Sequence, residues 1–414
     1  MDPSVVISVA ETVARVRELG ASAVLNQARL YDCPELGDLF VSADELEAAD
    51  APEAEIEALL EAIRRVTEFH EVQMSVLTND WEELPVGWGW RTDVTEGDTG
   101  FEGQRMLSLE RVGVYVPGGR AAYPSSVVMN VVPARCAGVK EIVVCTPARS
   151  DGSVHPLVLV ACRELGVSTV LKAGGAAGIA AMALGIEGLP RVDKIVGPGN
   201  VYVTEAKRQL WGSVGLDGFA GPSEVAVAVD GTEDPRFAAA DLLTQLEHAP
   251  DNVGLLVATN QAALDAVLQE VGVQLDGAPR ADVLKQALAT ESVAVLVSSL
   301  DETAECLNRF APEHASLLLE HAGDLAGRLV NCGCVAIGPF TAQSAGDYCS
   351  GPSHTLPTSG AARFASPVSC LDFIKVQSVS MFTRKDITRL APTISALAHA
   401  EGFPAHAFGA EVRA

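Results

Sequence analysis

Aromatic residues make up only 5% of this 414-residue chain, and no apolar run reaches the length needed to span a bilayer. With 48% hydrophobic residues, the apolar mass therefore sits in Ala, Val, Leu and Gly. Small side chains of this kind let helices lie close on sheets, which favours an α/β class. Basic charge is also scarce: 29 Lys and Arg face 54 Asp and Glu, a formal net charge of -25. Such a surface repels nucleic acid and anionic membranes, no basic patch offsets it, and neither partner is expected. The nine cysteines are an odd number, scattered mostly in apolar runs such as those holding Cys136, Cys145 and Cys162. That argues against a disulfide framework and fits the reduced core thiols of a cytoplasmic protein. Met1-Asp2-Pro3-Ser4 lacks the basic and apolar regions of a secretory signal. Two phosphate-binding fingerprints are missing as well. The nearest approach to Gly-x-Gly-x-x-Gly has Tyr202 where its third glycine belongs after Gly197 and Gly199, and there is no Gly-x-x-x-x-Gly-Lys-Ser/Thr loop.

What is present is periodicity. Residues 9–30 and 43–78 read as helices with charged outer faces, and Trp81 to Arg105, with Trp88 and Trp90, reads as turn-rich. From Arg111 onward, short β-branched runs alternate with helical segments. The expected strands are Val112–Val116, Glu141–Cys145, Thr169–Lys172 and Lys194–Val196, then Glu224–Val229, Val253–Thr259, Ser292–Val297, Ser316–Leu319 and Cys334–Ile337. This alternation implies right-handed βαβ units and parallel sheets. The expected fold is therefore two Rossmann-like domains, an arrangement that resembles the aldehyde-dehydrogenase-like fold. Residues 112–222 form one. Residues 223–366, together with the helices of 1–111 packed on them, form the other. Residues 367–414 make a helical C-terminal arm, interrupted at Pro392 and Pro404. The length is ample for this organisation.

Chemistry-bearing residues concentrate at the ends of these elements. Gln245 and His248 lie three apart near the end of an expected helix, where an amide oxygen and an imidazole on one ridge can reach a common metal ion or polar ligand. A histidine at a helix C-terminus is more often a surface residue, so the pair alone decides nothing. Glycine-rich turns follow three strands: Pro117-Gly118-Gly119-Arg120, Gly174-Gly175-Ala176-Ala177-Gly178 and Gly197-Pro198-Gly199-Asn200. Such turns mark the usual ligand crevice of a parallel sheet, and equally they simply close βα units. Of eight histidines, four stand beside acidic or amide groups: His248, His314 after Glu313, His354 in the run Ser344 to His354, and His406 after Glu401. The run Ser344 to His354 is too rich in glycine to be expected as helix. Together these donors suit Zn2+ or a similar divalent ion, and the Glu313-His314 pair suits acid–base work near neutral pH. Cys349 is a rival nucleophile for a metal-free aldehyde oxidation.

Eight motifs in order resemble the histidinol dehydrogenase family over nearly the whole chain. They are Val114-Tyr115-Val116-Pro117-Gly118-Gly119, Val192 through Asn200, Thr204-Glu205-Ala206-Lys207-Arg208, Ala220-Gly221-Pro222-Ser223-Glu224, Gln245-Leu246-Glu247-His248, Pro312-Glu313-His314, Ser344-Ala345-Gly346-Asp347-Tyr348 and Ala400 through His406. The resemblance implies NAD-linked, Zn2+-dependent oxidation of L-histidinol through the aldehyde to L-histidine, the end of histidine biosynthesis. It implies metal ligation by Gln245, His248, Asp347 and His406, the last donated across a homodimer. His314 would be the general base, and Glu313 would activate the water that attacks the aldehyde. Ser223, His354 and Glu401 would hold the substrate together with His314 and the metal ligands. Tyr115, Asn200 and position 177 would contact the cofactor. One departure stands out: the family's Gly-Gly-Ala-Gln reads Gly174-Gly175-Ala176-Ala177 here. A lost amide of that kind is worth roughly 1 kcal/mol of binding. The alternative reading is a paralogue using the same metal and cofactor on another small polyol, such as a sulfopropanediol.

Overall fold

In the computed structural model, which describes residues 2–78, 89–93, 100–118 and 122–414, the alternation from Arg111 onward becomes two five-stranded parallel sheets. Strands and helices are numbered in chain order. The first sheet holds β3 (Arg111–Tyr115), β4 (Glu141–Thr146), β5 (Thr169–Lys172), β6 (Lys194–Val196) and β7 (Gly215–Leu216), in the spatial order β5-β4-β3-β6-β7. The second holds β8 (Glu224–Val229), β9 (Val253–Ala258), β10 (Val293–Leu296), β11 (His314–Leu318) and β12 (Cys334–Ile337), in the order β10-β9-β8-β11-β12. The two orders are the same topology met twice, although no repeat is visible in the sequence. In each sheet the chain runs outward one way, then returns to the far side of the starting strand. This leaves a switch point between β3 and β6 and another between β8 and β11.

The crossover helices bury apolar faces on these sheets. They include α5 (Pro124–Cys136), α6 (Pro156–Glu164), α7 (Gly175–Leu184) and α8 (Val201–Leu210) around the first sheet. Around the second lie α9 (Pro235–Leu246), α10 (Gln261–Asp276), α11 (Ala281–Thr290), α12 (Leu300–Phe310) and α13 (Ala322–Ala326), with the short α14 (Gln343–Tyr348) after β12.

The N-terminal helices do not pack where the sequence suggested. Helices α1 (Pro3–Leu19) and α2 (Ala21–Tyr31) cover the first sheet's helices, not the second domain. The reason lies in α7. Its sequence, Gly-Ala-Ala-Gly-Ile-Ala-Ala-Met-Ala-Leu, is apolar all round, and such a helix needs cover on its outer side as well as its inner one. Val5, Val9, Val13 and Val16 of α1 form the stripe that supplies it, buried in one cluster with Ile179 and Met182. Each buried valine is worth about 2 kcal/mol against exposure. Helices α3 (Ala43–Glu47) and α4 (Glu53–Thr78) follow.

By packing, the chain divides into two units, Met1–Glu71 with Leu109–Phe373, and Val72–Ser108 with Ile374–Ala414. In the second unit β1 (Gly89–Asp93), β2 (Phe101–Ser108) and β13 (Ile374–Met381) form an antiparallel sheet in the order β1-β2-β13, with Phe101 opposite Met381 and Ser108 opposite Ile374. The stretch read as turn-rich thus contains strands, and the arm read as helical opens on one; Trp88, Gly119 and Arg120 lie outside the described residues. Helix α15 (Arg384–Ala400) begins with a capping box between Thr383 and Asp386 and runs on through Pro392, which does not end it. Pro404 does mark a break, as the first residue of α16 (Pro404–Glu411).

Candidate active site

Two edges of the first unit meet at a cavity of about 270 Å³. The first sheet presents the C-terminal ends of its strands there, through Pro117 after β3 and Pro198 and Gly199 after β6. The second sheet presents the opposite edge: Ser223 immediately precedes β8, Glu313 precedes β11, and His314 is its first residue. The catalytic candidates therefore sit at strand beginnings, where glycine-turn reasoning does not look. His314 opens β11 and is not in a turn before it.

Helices α9 and α14 supply the remaining wall, and two rungs join them. Asp241 and Gln245 are one turn apart on α9; Gln343 and Asp347 are one turn apart on α14. Asp241 accepts from the Gln343 backbone N–H at 3.0 Å, and the Gln245 side-chain Nε2 donates to Asp347 at 3.0 Å. With Nε2 turned to Asp347, the amide oxygen of Gln245 is its remaining donor atom for a metal. His248 lies just past the end of α9, its N–H on the Gln245 carbonyl at 3.3 Å, and it lines the same cavity. The run expected to be too glycine-rich for a helix is in fact α14 at its start. Gly346 is tolerated there because the first turn is fixed by the Asp241 contact.

Burial dominates the electrostatics. It pushes the Glu313 carboxyl up to about 8, with Asp347 and Glu224 adding repulsion against backbone and Ser223 hydrogen bonds. Asp347 is raised to about 6 by burial against the opposing Gln245 hydrogen bond. His314 falls to about 3 and His354 to about 4, again chiefly through burial, and His248 is also lowered. Burial thus favours the neutral form of each of these groups. His354 donates from Nδ1 to the Asp347 carbonyl at 2.8 Å, so its Nε2 is an acceptor, 3.4 Å from Ser126 Oγ.

Supporting residues were not evident from sequence. Buried Asn252 accepts from the Ser223 N–H at 2.9 Å and donates to the Gln245 carbonyl at 2.8 Å, tying the start of β8 to the end of α9. Gly333 lies against the Glu313 backbone; a Cβ there would stand 2.6 Å from the Glu313 carbonyl oxygen. This gives the Cys332-Gly333-Cys334 stretch its reason: glycine lets β12 close on β11 beside the site. Lys207 buries its ammonium under the Gly197 turn, donating to the Gly197 carbonyl at 2.6 Å and to Asp217 at 2.7 Å. Cys349 does not line the cavity, and its carbonyl is held by Arg65 at 2.7 Å.

The expected cofactor residues gather at the C-terminal edge of the first sheet. Tyr115 and Asn200 line a cleft of about 640 Å³ with Pro117, Thr146 and Gly175. Both already hold local structure: the Tyr115 hydroxyl accepts from the Gly175 N–H at 3.0 Å, and Asn200 caps α8 through the N–H groups of Tyr202 and Val203. Ala177 borders an adjoining cavity of about 330 Å³, also reached by Asn200. Glu401 and His406 belong to the second unit, exposed at the elbow between α15 and α16. No cluster of three His, Cys, Asp or Glu at metal-binding spacing occurs among the described residues. Gln245, His248 and Asp347 do line one cavity, and their amide, imidazole and carboxylate donors fit Zn2+.

The chain matches the family model described as histidinol dehydrogenase over residues 2–414. A histidinol dehydrogenase of Halalkalibacterium halodurans is 40% identical over 97% of this chain and 92% of its own length. One from Geobacter sulfurreducens is 42% identical over 98% and 92%. The crystal structure of histidinol dehydrogenase from Elizabethkingia anophelis superposes with a TM-score of 0.90 at 36% identity, covering 98% of this chain and 91% of that one. With a full-length family match, close relatives and a shared structure, this chain belongs to the histidinol dehydrogenase family of oxidoreductases.

Proposed function

We propose that this chain oxidises L-histidinol through L-histidinal to L-histidine, passing two hydrides in succession to NAD+ in a Zn2+-dependent, homodimeric, cytoplasmic enzyme. The observation that carries the reading is the convergence of Gln245, His248 and Asp347 with Glu313 and His314 on one cavity. Tyr115, Ala177 and Asn200 would hold NAD+, which would supply the hydride acceptor, and Gln245, His248, Asp347 and the partner subunit's His406 would hold Zn2+, which would supply positive charge beside the substrate. Burial keeps His314 neutral, so its imidazole is in the form that takes the hydroxyl proton as hydride leaves. Glu313 stands 3.8 Å from His314 and activates the water of the second oxidation once its carboxyl is ionised, the state that a nearby cation favours. Ser223, His354 and Glu401 hold and orient the substrate.

The polyol reading has no support of its own: relatives near 40% identity over the full length are named histidinol dehydrogenases. The Cys349 reading lacks a thiol in the cavity wall. No helix among the described residues is long and apolar enough to cross a membrane. The deciding experiment is a stoichiometric assay, with two NADH formed per histidinol consumed and histidine as product. NADH formation from polyols but not from histidinol would overturn the substrate, and turnover unchanged by exhaustive chelation would overturn the metal.

A further inference from the structure

The proposed cofactor cleft contains a carboxylate to which nothing so far gives a role. Asp32 follows the last residue of α2, its backbone N–H on the Ala28 carbonyl at 2.8 Å. Its side chain crosses to the start of α7, where it accepts from the Gly174 N–H at 3.2 Å. Glycine permits this approach: a Cβ on Gly174 would stand 3.2 Å from each Asp32 carboxylate oxygen. The next N–H of the turn, on Gly175, is held by the Tyr115 hydroxyl at 3.0 Å. Backbone donors that open a helix behind a parallel strand are the usual seat of a dinucleotide phosphate. Here two of them are taken, and the anion at that seat is Asp32 itself.

Asp32 also stands where two hollows meet. With Gly174, Gly175 and Asn200 it lines both the cleft of about 640 Å³ and the adjoining cavity of about 330 Å³ beside Ala177. Pro117 borders the larger cleft and the catalytic cavity alike, whereas the smaller cavity shares no described wall residue with the catalytic one. A dinucleotide that delivers its nicotinamide past Pro117 therefore leaves its adenosine half for the Asp32 side.

The chemistry of Asp32 selects what can lie there. An ionised carboxylate has about four lone-pair sites, and among the described residues its side chain has one donor, the Gly174 N–H. Burial raises the carboxyl above its ordinary value and only that N–H opposes it. A ribose diol brings two hydroxyl donors on adjacent carbons, matched to the two carboxylate oxygens. A phosphate ester on the diol removes one donor and sets anion against anion. Arg149 lines the same cleft from the turn after β4, and its charge suits the diphosphate that NAD+ and NADP+ share.

We propose that Asp32 is a specificity-determining residue of the cofactor site, its carboxylate accepting from the adenosine ribose diol of NAD+ and turning away NADP+, which carries a phosphate on that sugar. The proposal rests on NAD+ binding in this cleft, as set out above. Calorimetry with each nucleotide alone, on the zinc-loaded protein, tests it without turnover. Wild type should bind NAD+ about 100-fold more tightly than NADP+. Asp32→Asn keeps an oxygen for the Gly174 N–H while removing the charge, so it should weaken NAD+ and tighten NADP+, lowering their affinity ratio at least about tenfold. Asp32→Ser, a second variant with a small acceptor, should move the ratio the same way, and thermal melting checks that both fold. Arg149→Ala should weaken the two nucleotides alike and leave the ratio in place. A wild type that binds both equally, or a ratio that Arg149→Ala changes and the Asp32 variants do not, would overturn the proposal alone. A wild type that binds neither nucleotide would overturn the cofactor reading and this proposal with it.

Discussion

Gln245 donates its side-chain amide to Asp347 across 102 residues of sequence. One helical turn back, Asp241 receives the Gln343 N–H across the same interval of 102 residues. The pair of rungs makes α9 and α14 a single rigid wall. The rung nearer the cavity aligns two expected metal donors, and the rung behind it fixes Gln343, whose side-chain amide meets His314. Rigid supports of this kind are what hold site geometry within tenths of an ångström.

Loss of either end of the front rung should release the metal. Asp347→Ala removes a carboxylate ligand, and Gln245→Ala removes both an expected ligand and the hydrogen bond that aims Asp347. Zinc measured by atomic emission under chelator competition should show affinity weakened by about 100-fold or more in each. Full retention of zinc by both variants would mean that the metal, if present, is held elsewhere.

Glu313 should leave a signature in the stability of the metal-free protein. Its folded-state value of about 8 stands above its ordinary 4.5, so the native state keeps a proton that the unfolded state has released. Stability contributed by this group is present below pH 4.5 and is lost as the pH rises toward 8. Urea unfolding of the chelated wild type should therefore lose stability over that window more steeply than Glu313→Gln, by up to about 1.4 kcal/mol per pH unit. Parallel profiles for the two proteins would refute the burial argument.

How far the sequence could be read follows from the range of the forces involved. Strands such as Glu224–Val229 were legible because burial on both faces writes itself as an unbroken apolar run. The partnership of β2 with β13 was not, since its register joins residues some hundreds apart and leaves no local period. Helix α14 is six residues long and contains Gly346, so its stability comes from Asp241 and not from its own propensities. The ligand candidates stood out singly, as acid or amide beside imidazole. That Gln245 and Asp347 touch is a tertiary fact, and so is the choice of α7, not the second sheet, as the partner of α1. Asn252 and Gln343 carry no mark in sequence at all; each is a polar residue whose use appears only when its neighbours do.

The space beside Ala177 makes the departure from the family pattern testable by addition. Ala177 stands at the edge of a cavity of about 330 Å³ whose wall includes Asn200, so a longer side chain has room to reach toward the cofactor cleft. Ala177→Gln should tighten NAD+ binding by roughly 1 kcal/mol, a fall in Kd of about fivefold, with kcat little changed. Calorimetry with NAD+ alone reads this without turnover. Unchanged or weaker binding would show that this chain holds the cofactor without an amide at 177.

Subunit mixing tests the proposed sharing of the site between protomers. In the first unit the cavity is lined by Gln245, His248 and Asp347, while His406 sits exposed at the α15–α16 elbow, its ring against Phe403 with centroids 5.3 Å apart. If each site borrows the partner subunit's His406, then His406→Asn and His314→Ala homodimers are both inactive for different reasons. A heterodimer of the two has one site with both lesions and one with neither. Equal mixing with random reassortment should therefore recover about a quarter of wild-type activity. Recovery should appear only after denaturation and refolding, or slow exchange, has scrambled the subunits. Native mass spectrometry confirms that heterodimers have formed. Heterodimers present with no recovered activity would mean that each chain completes its own site, and His406 would then be reassigned to its own protomer.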